Sequence, residues 1–242
     1  ASYEKMRFSY QEYFERMTDR KSWGKPLSAL LGALKMQVEF GLPSIGGKDS
    51  MSGTFENINV PPMLMAFGIT TVDAGQVISP ELKYEGNKLY LIKHTPLANH
   101  MPDVEQLKAN WNYIHEQIQA ENIVSGYALG FGGLAEAICK MSFGNGLDAK
   151  IKYDEKELFN YGYGSILVEA EEELDWPNAI LIGEVTDGEE SELTINGKKF
   201  DIFELMAVNG ARFAEIYPDT AEAYHKNLVP AGMQGVKPLK VK

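Results

Sequence analysis

The chain has 242 residues, of which 44% are hydrophobic and 24% charged, with 23 Lys+Arg against 34 Asp+Glu for a formal net charge of −11. That is enough apolar mass to build packed cores, so chain-wide disorder is excluded, and the acidic balance argues against a general binder of nucleic acid or of an anionic membrane. The single cysteine, Cys139, excludes an internal disulfide framework and Cys-cluster zinc sites, and no apolar run approaches the roughly 18–20 residues that span a bilayer.

The first residues carry no hydrophobic signal core and no initiator Met, which points to a chain processed or cut from something longer. Leu27, Leu30, Leu31, Leu34 and Val38 recur at helical spacing. With Pro26 placed in the first turn and Gly41 and Pro43 at the end, they predict an amphipathic helix. Leu42–Gly53, rich in glycine and serine, predicts a loop. Pro61-Pro62 then introduces MLMAFGITTV, whose apolar, β-branched texture predicts a buried strand, and a looser stretch follows it.

From Lys88 the texture changes. Leu89–Ile92 predicts a short strand. Val104, Leu107, Trp111, Ile114 and Ile118 predict a helix over Asp103–Ala120 with Asp103 as N-cap. SGYALG reads as a strand, and GFGGLAEAICKMSFG as a glycine turn entering a helix with Leu134, Ile138 and Met141 inward. SILVEA and AILIGEV are further strands. ELTINGKKFDI holds an Asn-Gly pair between two strand patterns, a strong hairpin signal. The alternation gives an α/β (α+β) chain. A boundary near Glu85–Asn87 divides it into residues 1–85, which resemble the end of a domain whose beginning is missing, and residues 86–217. Residues 218–242 read as a linker.

Gly46-Gly47-Lys48-Asp49-Ser50 places a cation, an anion and a hydroxyl beside two glycines, whose N–H groups can approach an anion closely. A phosphate–metal site needs that combination, yet a polar surface turn has the same composition. The spacing is not that of a Walker A loop. Gly130-Phe131-Gly132-Gly133 before a helix fits either an anion site or tight strand–helix packing. His94, His100, His115 and His225 have no metal spacing and read as surface residues, and Cys139 reads as a small buried hydrophobe. Glu171-Glu172-Glu173 reads as a solvated face.

Trp23–Leu27, then LLGALKMQVEFGLPSIGGKDSMSGTF, PPMLMAFGITTV, ISPELK and GGLAEAICKMSFGNGL resemble, in order and spacing, the large multidomain phosphoribosylformylglycinamidine synthases. GGKDSMSG is the most specific block. The blocks span about Trp23 to Leu147, with weaker similarity beyond. The resemblance implies the C-terminal part of an aminoimidazole-ribonucleotide-synthetase-like first domain, followed by a complete second domain of the same superfamily. It implies a fragment of the cytoplasmic ligase that makes formylglycinamidine ribonucleotide from formylglycinamide ribonucleotide, ATP, Mg²⁺ and glutamine in purine synthesis. Its partners would be missing synthetase domains and a following glutamine amidotransferase domain. Gly46, Gly47, Lys48, Asp49 and Ser50 would then lie against ATP, Mg²⁺ or substrate phosphate, with Lys48 neutralising phosphate and Asp49 orienting Lys48.

Where the family carries an Asp/Ser/Asp run at a second nucleotide site, this chain has Ala128, Gly130 and Phe131, followed by Gly132 and Gly133. The resemblance therefore implies a degenerate site, because alanine and glycine offer no side-chain oxygen to a hard cation. A non-catalytic scaffold that keeps only the fold, or a related ATP-dependent synthetase or kinase, are the competing readings. The acidic excess gathers in residues 154–204, with 15 acidic against 3 basic residues. The first 85 residues are near neutral, with 9 basic and 10 acidic.

Overall fold

A computed structural model describes residues 1–188 and 191–212. The expected linker at 218–242 and His225 lie outside the described residues. The chain groups into two compact units, one of residues 1–77 with 95–121, the other of residues 78–94 with the chain from Asn122 onward. This grouping is discontinuous along the chain. No described helix is long and apolar enough to cross a membrane.

The first unit contains strand β1 (Arg7–Tyr13), helix α1 (Arg20–Phe40), strand β2 (Ser44–Lys48), a small hairpin of β3 (Thr54–Phe55) and β4 (Ile58–Asn59), strand β5 (Met63–Ile69) and helix α2 (Val104–Gln119). Its sheet has the order β2-β1-β5, with β1 parallel to β2 and antiparallel to β5. Helix α1 starts six residues before Pro26, not at it. Asp19 accepts from the Ser22 N–H (2.7 Å) and Ser22 Oγ accepts from the Asp19 N–H (3.0 Å), a reciprocal capping box. Asp103 caps α2 as expected, accepting from the Gln106 N–H at 3.0 Å. Trp111 of α2 stacks on Phe40 of α1 at 5.3 Å, and this contact draws α2 into the first unit.

Two expectations for this unit need correction. The stretch containing Ser44–Lys48 is not all loop, because its first half pairs with β1 as a strand. MLMAFGI does form a strand, but it is not buried. It is the edge of a three-stranded sheet, and Ile69 is 59% exposed. The leucine stripe of α1 is likewise uncovered, with Val38 71% exposed, while its buried positions are Ser22 and Pro26. Both elements carry the right apolar pattern, but no described residues cover it.

The second unit contains β6 (Lys88–Ile92), β7 (Ile123–Ala128), α3 (Gly133–Phe143), β8 (Asp148–Ile151), β9 (Ile166–Ala170), β10 (Ala179–Thr186), β11 (Glu192–Ile195), β12 (Lys198–Asp201) and α4 (Ile202–Ala211). Its seven-stranded sheet has the order β12-β11-β8-β10-β6-β9-β7. Every neighbouring pair is antiparallel except β8 with β11. Leu134, Ile138 and Met141 of α3 are buried as expected, against Leu89, Leu91, Leu167, Ile182 and Leu193 of the sheet and Ile202 of α4. The β11–β12 hairpin turns through Asn196 and Gly197, both at positive φ (51° and 80°). Strand β8 and helix α4 escape the sequence reading. β8 has only four residues, and α4 is apolar nearly all round, so neither shows a clear period.

Candidate functional site

The first candidate loop begins as the last residues of β2 and continues past it. Gly46 pairs with Ser9, Gly47 with Tyr10 and Lys48 with Gln11. A Cβ on Gly47 would sit 2.4 Å from the Tyr10 carbonyl oxygen, so only glycine lets the two strands approach this closely. Gly46 has open space around its Cα and could carry a side chain. Beyond the strand, the Phe14 N–H donates to the Ser50 carbonyl (2.7 Å) and the Gly53 N–H to the Phe14 carbonyl (2.9 Å). The turn is therefore pinned on both sides, while Gly46 to Asp49 stay exposed and Ser50 half-buried.

The two charges of the loop act on different groups of β1. Lys48 lies on the face of Gln11 and Tyr13, with its Nζ 4.4 Å from the centroid of the Tyr13 ring. Gln11 Nε2 donates to the Tyr13 hydroxyl at 2.7 Å and steadies that ring. Asp49 acts instead on Glu12 of β1, whose carboxyl is pushed up first by burial and then by the Asp49 charge. Among the described residues Lys48 forms no ion pair with Asp49. Glu12 was not singled out from the sequence. It is one carboxylate in a polar, aromatic strand, and its burial follows only from the fold.

The second candidate, in the other unit, runs from the end of β7 into α3. Ala128 is exposed, Gly130 has open space, and Phe131 is 74% exposed and stacked on Tyr161 at 5.0 Å. Gly133 has φ +64°, and a Cβ there would lie 2.6 Å from the Asn160 oxygen and 2.7 Å from the Leu158 oxygen. Glycine is thus required here by packing. The helix N-terminus, the place where an anion would bind, is taken by the chain's own carboxylate. The Gly132 N–H donates to Glu136 Oε2 at 2.9 Å, and Lys140 Nζ reaches the other Glu136 oxygen at 2.7 Å.

The Glu136 carboxyl is held below the usual range by Lys140 and then by the Gly132 N–H. A depressed carboxyl contributes stability above its ordinary pKa of 4.5, and that contribution is lost as pH falls below it. Glu136→Gln is expected to lower stability at neutral pH by less than about 1 kcal/mol, because the pair is partly solvated. It should also flatten the loss of stability below pH 4.5. Urea unfolding of both proteins across pH 3–7 measures this.

The remaining candidates take structural places. Cys139 is packed against the core, and burial pushes its thiol up to about 11, which leaves it unreactive at neutral pH. His94 departs from the surface reading. It is buried, its backbone N–H donates to Ser165 Oγ (2.9 Å), and its ring Nδ1 lies 2.8 Å from the Tyr163 carbonyl oxygen. Glu171, Glu172 and Glu173 are exposed, as a solvated face should be. Among the described residues no three His, Cys, Asp or Glu side chains assemble a metal-binding group.

No protein-family profile and no curated protein sequence matches the chain. Solved structures do match. PurL from Thermotoga maritima complexed with AMPPCP superposes with a TM-score of 0.60 at 12% identity, over 85% of this chain and 38% of that one. The chain has the aminoimidazole-ribonucleotide-synthetase-like fold. HypE, from the HypE–HypF complex, shares this synthetase-like fold with a TM-score of 0.56 at 16% identity, over 83% of this chain and 79% of that one. Thiamine monophosphate kinase from Aquifex aeolicus shares it with a TM-score of 0.52 at 13% identity, over 80% and 74%. The chain spans less than two fifths of the length of the PurL structure.

Proposed function

We propose that this chain is part of a large phosphoribosylformylglycinamidine synthase, the cytoplasmic ATP- and glutamine-dependent C–N ligase of purine synthesis. In this reading residues 1–85 are the end of one synthetase-like domain, residues 86–217 are the next, and residues 218–242 lead towards an amidotransferase domain. The observation that carries it is the GGKDSMSG loop, held exposed at the end of a strand whose Gly47 admits no side chain, within a synthetase-like fold. PurL structures complexed with ATP, with ADP and with formylglycinamide ribonucleotide (FGAR) are among the fold's neighbours and support those ligands.

The loop's role is charge compensation and positioning, the main requirements of phosphoryl transfer. Lys48 would neutralise phosphate. Gly46, Gly47 and Ser50 would offer N–H and hydroxyl donors. Lys48→Ala in the intact enzyme is expected to lower the rate of amidine formation about a hundredfold with folding preserved. This chain alone should turn nothing over. An unchanged rate in the variant would favour a scaffold role.

The second loop fits a site that no longer takes a metal nucleotide. Ala128, Gly130 and Phe131 supply no side-chain oxygen, and Glu136 fills the helix N-terminus. Mg²⁺-ADP found beside Ala128 in the intact enzyme would overturn this. A second reading, a related ATP-dependent synthetase or kinase, draws support from coverage, since the chain spans 79% of HypE and 74% of thiamine monophosphate kinase. Assays with FGAR and with thiamine monophosphate, each with ATP, separate the two.

A further inference from the structure

Asp148 opens β8, which lies between β10 and β11 in the seven-stranded sheet. Its register partner on β10 is Thr186. On the other side β8 and β11 run parallel with Leu193 beside Ala149, so Glu192, one residue earlier, lies beside Asp148. Residues paired across neighbouring strands point to one face, with Cβ atoms roughly 5 Å apart. Ala149 and Leu193 belong to the core built around α3, so Thr186, Asp148 and Glu192 form a row on the opposite face. Two carboxylates side by side in such a row repel each other and destabilise the pairing.

Asp148 is 6% exposed. The backbone N–H groups of Glu192 and Gly188 donate to its carboxylate, yet Oδ1 is enclosed with no hydrogen-bond partner among the described residues. Lys199 Nζ reaches Glu192 Oε2 at 2.6 Å, which answers one of the two charges. No ion pair among the described residues answers the other. A buried carboxylate oxygen needs a donor, a proton or a cation. An orphaned carboxylate oxygen, a second carboxylate and a hydroxyl in one row suit a small hard dication, which needs only one or two carboxylates and takes water in its other positions. The way in is from the end of β10, where exposed Asp187 and Gly188 follow Thr186.

We infer that Asp148 and Glu192, with the Thr186 hydroxyl beside them, hold one hard divalent cation of the Mg²⁺ or Ca²⁺ class on the face of the second unit's sheet away from α3. The ion cancels the repulsion between the two carboxylates and ties β10, β8 and β11 together at that end of the sheet. The site shares no residue with either glycine run, so it stands whether or not the ligase reading does.

The test is Mn²⁺ alone, titrated into the chain without nucleotide and followed by the electron paramagnetic resonance of free Mn²⁺. One ion that Mg²⁺ or Ca²⁺ displaces is expected at this site. Asp148→Asn and Glu192→Gln should each weaken its binding by about tenfold or more. Mn²⁺ should raise the melting temperature of the wild type more than that of either variant. An ion held elsewhere on the chain survives both substitutions, so the loss in the variants is what identifies the site. Glu192 is only half-buried, so Glu192→Gln decides the matter if Asp148→Asn fails to fold. Absence of binding at millimolar Mn²⁺, or binding undiminished in Glu192→Gln, overturns the inference. An Asp148→Asn protein more stable than the wild type, with no Mn²⁺ bound by either, identifies a proton as the compensating group and overturns it as well.

Discussion

Glu169→Ala is expected to lower the unfolding free energy of the second unit by about 3–5 kcal/mol. Glu169 sits on β9 with no exposed surface. Its Oε2 accepts from the Lys83 N–H (2.8 Å), and its Oε1 from the Tyr84 N–H (3.0 Å) and Asn87 Nδ2 (2.8 Å). One carboxylate therefore ties the segment before β6 to strand β9. Truncation leaves three donors without a partner. Asn87→Ala removes a single donor and should lose only about 1 kcal/mol. Urea unfolding of the three proteins checks the ranking.

Burial pushes the Glu169 carboxyl up, against the pull of its three donors. A raised carboxyl favours the folded state below its unfolded pKa, and that advantage is lost as pH rises through the folded value. Wild-type stability should therefore fall slightly as pH rises above the ordinary 4.5, and this component should be absent in the alanine variant.

Gly133→Ala should be as damaging, at roughly 3–5 kcal/mol. Its φ of +64° disfavours any L side chain, and the new Cβ would meet backbone of Leu158, Phe159 and Asn160 at 2.6 to 3.0 Å. Backbone cannot swing aside as a flexible side chain can. Gly130→Ala, three residues earlier in the same run, meets nothing within 4 Å and should change stability by less than about 0.5 kcal/mol. Differential scanning calorimetry of the pair tests whether the second glycine run is a packing device. Equal effects at the two positions would count against that view.

Much of the second unit was legible because its elements are long or carry strong local signals. Helix α3 shows its inward apolar positions and the β11–β12 hairpin its Asn-Gly turn, just as helix α2 of the first unit shows its cap and its period. β8 and α4 were not legible, one being too short and the other too uniformly apolar to show a period. In the first unit, β1 was hidden because FSYQEY mixes aromatic and polar residues without a clean alternation of burial. The glycines of Gly46–Ser50 were visible as a motif, yet the pairing of Gly47 against Tyr10 was not. Lys48 sits over the Tyr13 ring, a contact across strands that its sequence neighbours do not announce.

The residues alone determined the longer periodic elements, the mixed α/β class and the two glycine runs, because local propensity and turn chemistry are properties of short segments. Tertiary structure decided which apolar faces are covered, which glycines are required by contact, and which carboxylates lose their water. The α1 stripe and β5 carry core-like patterns yet lie uncovered, while Glu12 and Glu169 look like surface residues and are buried. Burial depends on what packs against a residue, and that is a property of the assembled chain rather than of any window within it.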